Sequence, residues 1–220
     1  MDKHVTRMVF VRHGQSLCNL EGRLQGQYDS PLSKLGMKQA EACAEYLKGW
    51  HFDAAYSSDL SRAYVTAKTI AEKHVGLEVT QIPALREIYF GKWQYMLPAE
   101  IAEKYPEDYS AWKKGGCYTH PTGGECMADV YERASRAAWE IACRHEGGTV
   151  LVTAHNGTMR MLQCDWLGIS CEEMDKVQHV KNVGVYVMDY DTDKRTVTPV
   201  IMGETGFLAD IKAEEGSDRY

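Results

Sequence analysis

Three short stretches of this chain hold residue types suited to phosphoryl chemistry. Residues 8–16 read Met-Val-Phe-Val-Arg-His-Gly-Gln-Ser, an apolar run that breaks off at Arg12, His13 and Gly14. Ser57-Ser58-Asp59 precedes a helical pattern with Arg62 in its first turn, and the apolar run 149–154 ends at His155-Asn156-Gly157. Two arginines and two histidines brought together would suit a phosphate group, because guanidinium forks match its oxygens and imidazole can attack or donate. Gly14 permits a sharp turn and close approach of a ligand, so His13 is the expected nucleophile.

For these residues to meet, each must leave the same edge of a sheet. The apolar runs read as buried strands, and right-handed crossovers between parallel strands put their carboxyl ends on one edge, where open α/β sheets bind ligands. Further strands are expected at 52–56 and 77–82, and an antiparallel hairpin at 183–190 and 196–202. Ser33 caps a helix with Ala40, Cys43, Ala44 and Leu47 inward. Other helices follow Ser57-Ser58-Asp59, open briefly at Pro98, run from Glu125 to near Gly147-Gly148, and span 158–167.

The expected fold class is therefore α/β: a mixed, mostly parallel central sheet flanked by helices in three layers. Residues 1–220 are read as one domain, with 17–32 a long loop and about 94–124 a lid or insertion region. Tyr105, Tyr109, Trp112 and Tyr118 suit lid packing. Residues beyond Leu208 are charged and expected to fray.

A formal net charge of −6 argues against general nucleic-acid binding. No stretch approaches the roughly 18 apolar residues of a membrane span, and no apolar leader is visible, so a cytoplasmic location is expected. Seven cysteines without CxxC pairs suit reduced thiols, with Cys43, Cys143 and Cys164 as small core residues. Cys117, His120 and Cys126 lie close in sequence but match no common zinc ligand set, so no metal is expected. His4, His51, His74, His145 and His179 carry no usable pattern.

The segments VRHGQSLCN (11–19), LQGQYDSPLSKLGMKQA (24–40), SSDLSRAYVTA (57–67), LREIYFGKW (85–93) and VLVTAHNGTMR (150–160) together resemble the histidine phosphatase superfamily, also called phosphoglycerate mutase-like. The resemblance implies that His13 forms a phosphohistidine and that Arg12, Arg62 and His155 hold the phosphoryl oxygens. It makes Glu87 the acid that protonates the leaving oxygen and then activates water. Asn19, Gln25, Gly26 and Asn156 would add substrate contacts. No cofactor is implied, and arginines replace the charge that Mg²⁺ supplies elsewhere.

Chemistry adds its own conditions. His13 must be neutral, with its second nitrogen donating to a carbonyl, and two arginines would lower its pKa. Glu87 should be partly desolvated.

Within the family, Glu87-Ile-Tyr-Phe-Gly-Lys-Trp-Gln looks more like the phosphatase branch than the mutases, which carry a longer insertion after the acid. The implied function is a phosphomonoester hydrolase of the histidine acid phosphatase type, acting on a small phosphorylated metabolite. The partner would be that small molecule, with neither nucleic acid nor membrane, and the assembly allowed for is a homodimer. A cofactor-dependent phosphoglycerate mutase and a non-catalytic phospho-ligand module are the alternatives. Gln94, Tyr95 and Asn156 depart from the usual phosphatase pattern, which commonly has Glu-Gly in place of the first two and glycine in place of the third.

Overall fold

A computed structural model describes residues 2–211. Elements run in the order β1 (Val5–Arg12), α1 (Leu17–Glu21), α2 (Lys34–Leu47), β2 (Ala54–Ser57), α3 (Ser61–Ala71) and β3 (Val79–Gln81). They continue with α4 (Pro98–Lys104), α5 (Pro106–Lys114), α6 (Met127–Arg144), β4 (Thr149–Ala154), α7 (Asn156–Leu167), β5 (Val185–Asp191) and β6 (Thr196–Glu204). One six-stranded sheet has the order β3-β2-β4-β1-β5-β6. Strands β1 to β4 are mutually parallel, while β5 pairs antiparallel with β1 and β6 with β5.

Alternation along β1 divides the core into two layers. Met8 and Phe10 face α6 and α7, against Ala134, Ala138, Ile141, Leu162 and Trp166. Val9 and Val11 face the other way, onto Cys43, Ala44 and Leu47 of α2 and Ile70 of α3. The expected mixed, mostly parallel sheet between helical layers is what forms.

Register then places the chemistry. Arg12 pairs with Ala154 and Ser57 with Thr153, so the residues that follow, His13, Ser58 and His155, leave one sheet edge side by side.

Several local expectations change. The stretch 17–32 opens with helix α1, held by a reciprocal cap in which the Asn19 N–H donates to Ser16 Oγ and the Ser16 N–H to Asn19 Oδ1. A five-residue helix stabilised by its cap has too few apolar positions to register as a period. Strands β2 and β3 are shorter than expected, α6 starts at Met127, and α7 starts two residues earlier, with His155 as its N-cap. Cys143 is exposed rather than in the core, while Cys43 and Cys164 are buried. The fraying expected after Leu208 falls mostly on residues 212–220, outside the described residues.

Candidate active site

His13 is 1% exposed, at the point where β1 ends. Its Nδ1–H donates to the Gly14 carbonyl at 2.6 Å, which leaves the lone pair on Nε2, and the Arg62 Nε–H donates to that nitrogen at 3.2 Å. The adjacent turn thus supplies the carbonyl partner expected from sequence. Burial, then the charges of Arg62 and Arg12, hold the His13 pKa well below the usual imidazole value. Gly14 is required on steric grounds, because a Cβ there would lie 2.4 Å from the Gly36 carbonyl oxygen.

Arg62 is fully buried in the first turn of α3. Its Nη1 donates to the Tyr28 carbonyl at 3.0 Å and its Nη2 to the Gly26 carbonyl at 2.6 Å, so the guanidinium plane is locked. Burial lowers its pKa to about 10, and the group stays charged at neutral pH. Gly26 adopts φ +53°, and a Cβ would collide with the Ile88 carbonyl at 2.7 Å.

Arg12 donates Nη1 to the Val180 carbonyl at 2.5 Å. His155, fully buried, lies 5.0 Å from His13 between ring centroids. Both of its ring nitrogens are buried without a hydrogen-bond partner, and burial, with Arg62 next in size, holds its pKa well down.

Glu87 is half-buried and faces these groups from an irregular segment. Its Oε1 accepts from the Ile88 N–H at 3.0 Å and its Oε2 from the Gly157 N–H at 2.9 Å. Arg86, its neighbour in sequence, pairs with Asp59 instead.

A cavity of about 430 Å³ joins these pieces. Arg12, His13, Asn19, Gln25, Gly26, Glu87 and Asn156 all line it, while Arg62 and His155 adjoin His13. Asn19 spends its oxygen on the Ser16 amide, and Gln25 Oε1 accepts from Ser16 Oγ at 2.9 Å. Asn156 accepts from the Val180 N–H at 2.9 Å and lies 3.2 Å from the His179 ring.

Sequence reasoning missed several of the contributors. A Cβ at Gly157 would sit 2.4 Å from Glu87 Oε1, so the glycine leaves the carboxylate room to reach the Gly157 N–H. Arg133 donates to the carbonyls of Ala84, Arg86 and Glu87 and pairs with Glu125, bracing the Glu87 segment. Arg160 and His179 line the cavity, although His179 had no sequence pattern. Gly157 alone carried a signal, as a glycine at a helix start.

The 94–124 region contributes through Trp112 of α5, which meets Phe90 and Trp93 edge-on, and both Phe90 and Trp112 line the cavity. Tyr109 also packs on Trp93, whereas Tyr118 is exposed. Tyr95 stands at φ +65°, a backbone state that suits the glycine usual in phosphatases, and its ring packs on Tyr28 and under Arg23. Gln94 Oε1 accepts from the Gln27 N–H at 2.7 Å.

Cys117 turns away from His120 and Cys126, its Sγ lying 2.8 Å from that of Cys171. Asp129 replaces it in a loose group with those two residues, whose ligand atoms lie within 4.8 Å of one another. No helix among the described residues is long and apolar enough to cross a membrane.

The arrangement offers a neutral imidazole, fixed cations where charge accumulates and one carboxylate across a shared cavity, which suits covalent phosphoryl transfer. Known proteins bear on that chemistry. Phosphoserine phosphatase 1 of Hydrogenobacter thermophilus is 41% identical over 165 residues, covering 75% of this chain and 78% of that one. A metal-independent phosphoserine phosphatase of Arabidopsis thaliana is 36% identical over 219 residues, 96% of this chain and 92% of that one. A 2,3-bisphosphoglycerate-dependent phosphoglycerate mutase of Gloeobacter violaceus also matches, at 35% over 175 residues, 78% of this chain and 80% of that one. The solved structure of YhfR from Bacillus stearothermophilus superposes with a TM-score of 0.86 at 27% identity, covering 92% of this chain and 99% of that one. The family model for the histidine phosphatase superfamily, branch 1, matches residues 8–200, and the chain belongs to that family.

Proposed function

We propose that this chain hydrolyses small phosphomonoesters through a phosphohistidine on His13, without a metal ion. One observation carries the reading: Nδ1 of His13 is committed to the Gly14 carbonyl, so the lone pair sits on Nε2, the nitrogen beside Arg62. In the first step Nε2 attacks phosphorus, the ester P–O bond breaks, and protonated Glu87 gives its proton to the leaving oxygen. In the second step a water oxygen attacks phosphorus while the Glu87 carboxylate takes its proton, the N–P bond breaks, and phosphate departs. Arg12 and Arg62 would carry the equatorial charge, and the N–H of neutral His155, whose ring nitrogens have no partner, would donate to a phosphoryl oxygen.

Two relatives bear the name phosphoserine phosphatase, which makes O-phosphoserine the first natural substrate to try. The test is hydrolysis of p-nitrophenyl phosphate and O-phosphoserine in EDTA by wild type and His13→Ala. Wild type is expected to turn over both and His13→Ala neither; equal activity in the two proteins overturns the reading. A mutase reading has a relative of that name behind it, against two relatives named phosphatase. Conversion of 3-phosphoglycerate to its 2-isomer faster than phosphate release, with bisphosphate present, would favour the mutase.

A further inference from the structure

Asn156 and Arg160 lie one turn apart on α7 and both line the cavity. Arg160 stands three residues after Gly157, whose amide holds Glu87, and the Glu87 charge reaches the guanidinium. Arg160 is anchored by one hydrogen bond, from Nη2 to the Met174 carbonyl at 2.8 Å, and its Nε is buried without a partner. A guanidinium carries five N–H donors, and a buried donor without an acceptor is costly.

Other cations in the wall are already committed. Arg12 donates to the Val180 carbonyl beside His13, and Arg23 pairs with Glu21 and Glu100. Glu87 is the one carboxylate among the described lining residues. Asp175 acts on Arg160 only at longer range, without a close ion pair. Ile88, Phe90, Trp112 and Met127 also line the cavity, and their apolar side chains offer no hydrogen bonds to a polyhydroxylated leaving group. From Gly157 to Arg160 the helix rises about 4.5 Å. In a three-carbon acid the carboxylate sits roughly 4 Å from the ester oxygen, so a leaving oxygen at Glu87 would carry its carboxylate toward Arg160.

Resting on the phosphatase reading, we propose that Arg160 binds the carboxylate of the substrate, so that the substrate class is the phosphate ester of a small hydroxyl-bearing carboxylic acid rather than of a sugar or simple alcohol.

The experiment compares 3-phosphoglycerate with glycerol 3-phosphate, which replaces the carboxylate by a hydroxymethyl group on the same skeleton. Wild type should favour the acid in kcat/KM by roughly 100-fold, Arg160→Met should lose most of that preference while hydrolysing glycerol 3-phosphate within about 3-fold of wild type, and Arg160→Lys should fall between. Equal wild-type efficiencies overturn the proposal, as does an Arg160→Met loss that is the same for both esters. Equilibrium binding of the two esters to His13→Ala separates the two readings. A carboxylate preference there that disappears with Arg160→Met supports the subsite even if wild type shows no turnover, an outcome that would sink only the phosphatase reading. No preference in binding overturns the subsite.

Discussion

Arg62 Nε donates to His13 Nε2 at 3.2 Å while Arg62 Nη1 and Nη2 are held by the carbonyls of Tyr28 and Gly26. One guanidinium therefore fixes Nε2 of His13 and the loop that carries Gln25 and Gly26 in a single plane. Because Arg62 is fully buried, its charge acts on His13 with little screening.

Arg62→Gln should lower kcat/KM by about 10³-fold or more, through lost charge at the phosphoryl group. It should also move the acid limb of the pH profile. His13 is held low by burial first and by Arg62 and Arg12 next, so removing Arg62 raises its pKa and shifts the limb to higher pH. A pH profile of kcat/KM for p-nitrophenyl phosphate measures this, and a limb that stays in place would show that His13 does not set it.

The covalent intermediate has a chemical signature. A quenched reaction with ³²P-labelled ester should leave label on wild type that is lost in acid and kept in base, as a phosphoramidate behaves, with none on His13→Ala. Acid-stable label would point to a serine ester, for which Ser16 and Ser57 are the nearby candidates.

The site was legible where chemistry and periodicity coincide. Arg12, His13 and His155 stand where buried apolar runs stop, and parallel register carries such ends to one edge, so their convergence followed from the pattern. Arg133, Arg160 and His179 were not legible, because their use depends on partners distant in the chain: Arg133 binds the Glu87 carbonyl 46 residues away. Tyr95 illustrates another limit. Its side chain reads as an ordinary aromatic, yet its backbone keeps the left-handed state that a glycine would occupy, and the Tyr28 and Arg23 contacts hold it there.

Acid should destabilise the fold in a specific window. His13 and His155 are buried neutral, with pKa values well below the unfolded value near 6.5. Between those folded values and about pH 6.5 the unfolded chain binds protons that the folded chain does not, so stability is full above this window and falls as pH drops through it. With both groups contributing, and His74, His145 and His179 also held low, stability falls steadily as pH drops through the window. Urea unfolding between pH 7.5 and 5.5 checks this; His13→Asn with His155→Asn should flatten the dependence, and an unchanged slope would assign it elsewhere.

Gly157 separates the acid role of Glu87 from the rest of the machinery. A Cβ at 157 would lie 2.4 Å from Glu87 Oε1, and the obstacle is the end of a side chain rather than backbone, so the carboxylate moves aside while the helix stays. Gly157→Ala should leave stability equal or up to about 1 kcal/mol higher, since alanine suits a helix better. Its catalytic cost should depend on the leaving group. An alkyl phosphate needs its oxygen protonated as the P–O bond breaks, so kcat should fall about 10² to 10³-fold, as in Glu87→Gln. For p-nitrophenyl phosphate, whose oxygen leaves as a stable anion, the fall should be within about 10-fold. Comparing kcat for O-phosphoserine and p-nitrophenyl phosphate in wild type, Gly157→Ala and Glu87→Gln measures the split. Equal losses on both esters, in a variant with unchanged melting temperature, would remove Glu87 from proton transfer and leave it the lesser task of shaping the cavity.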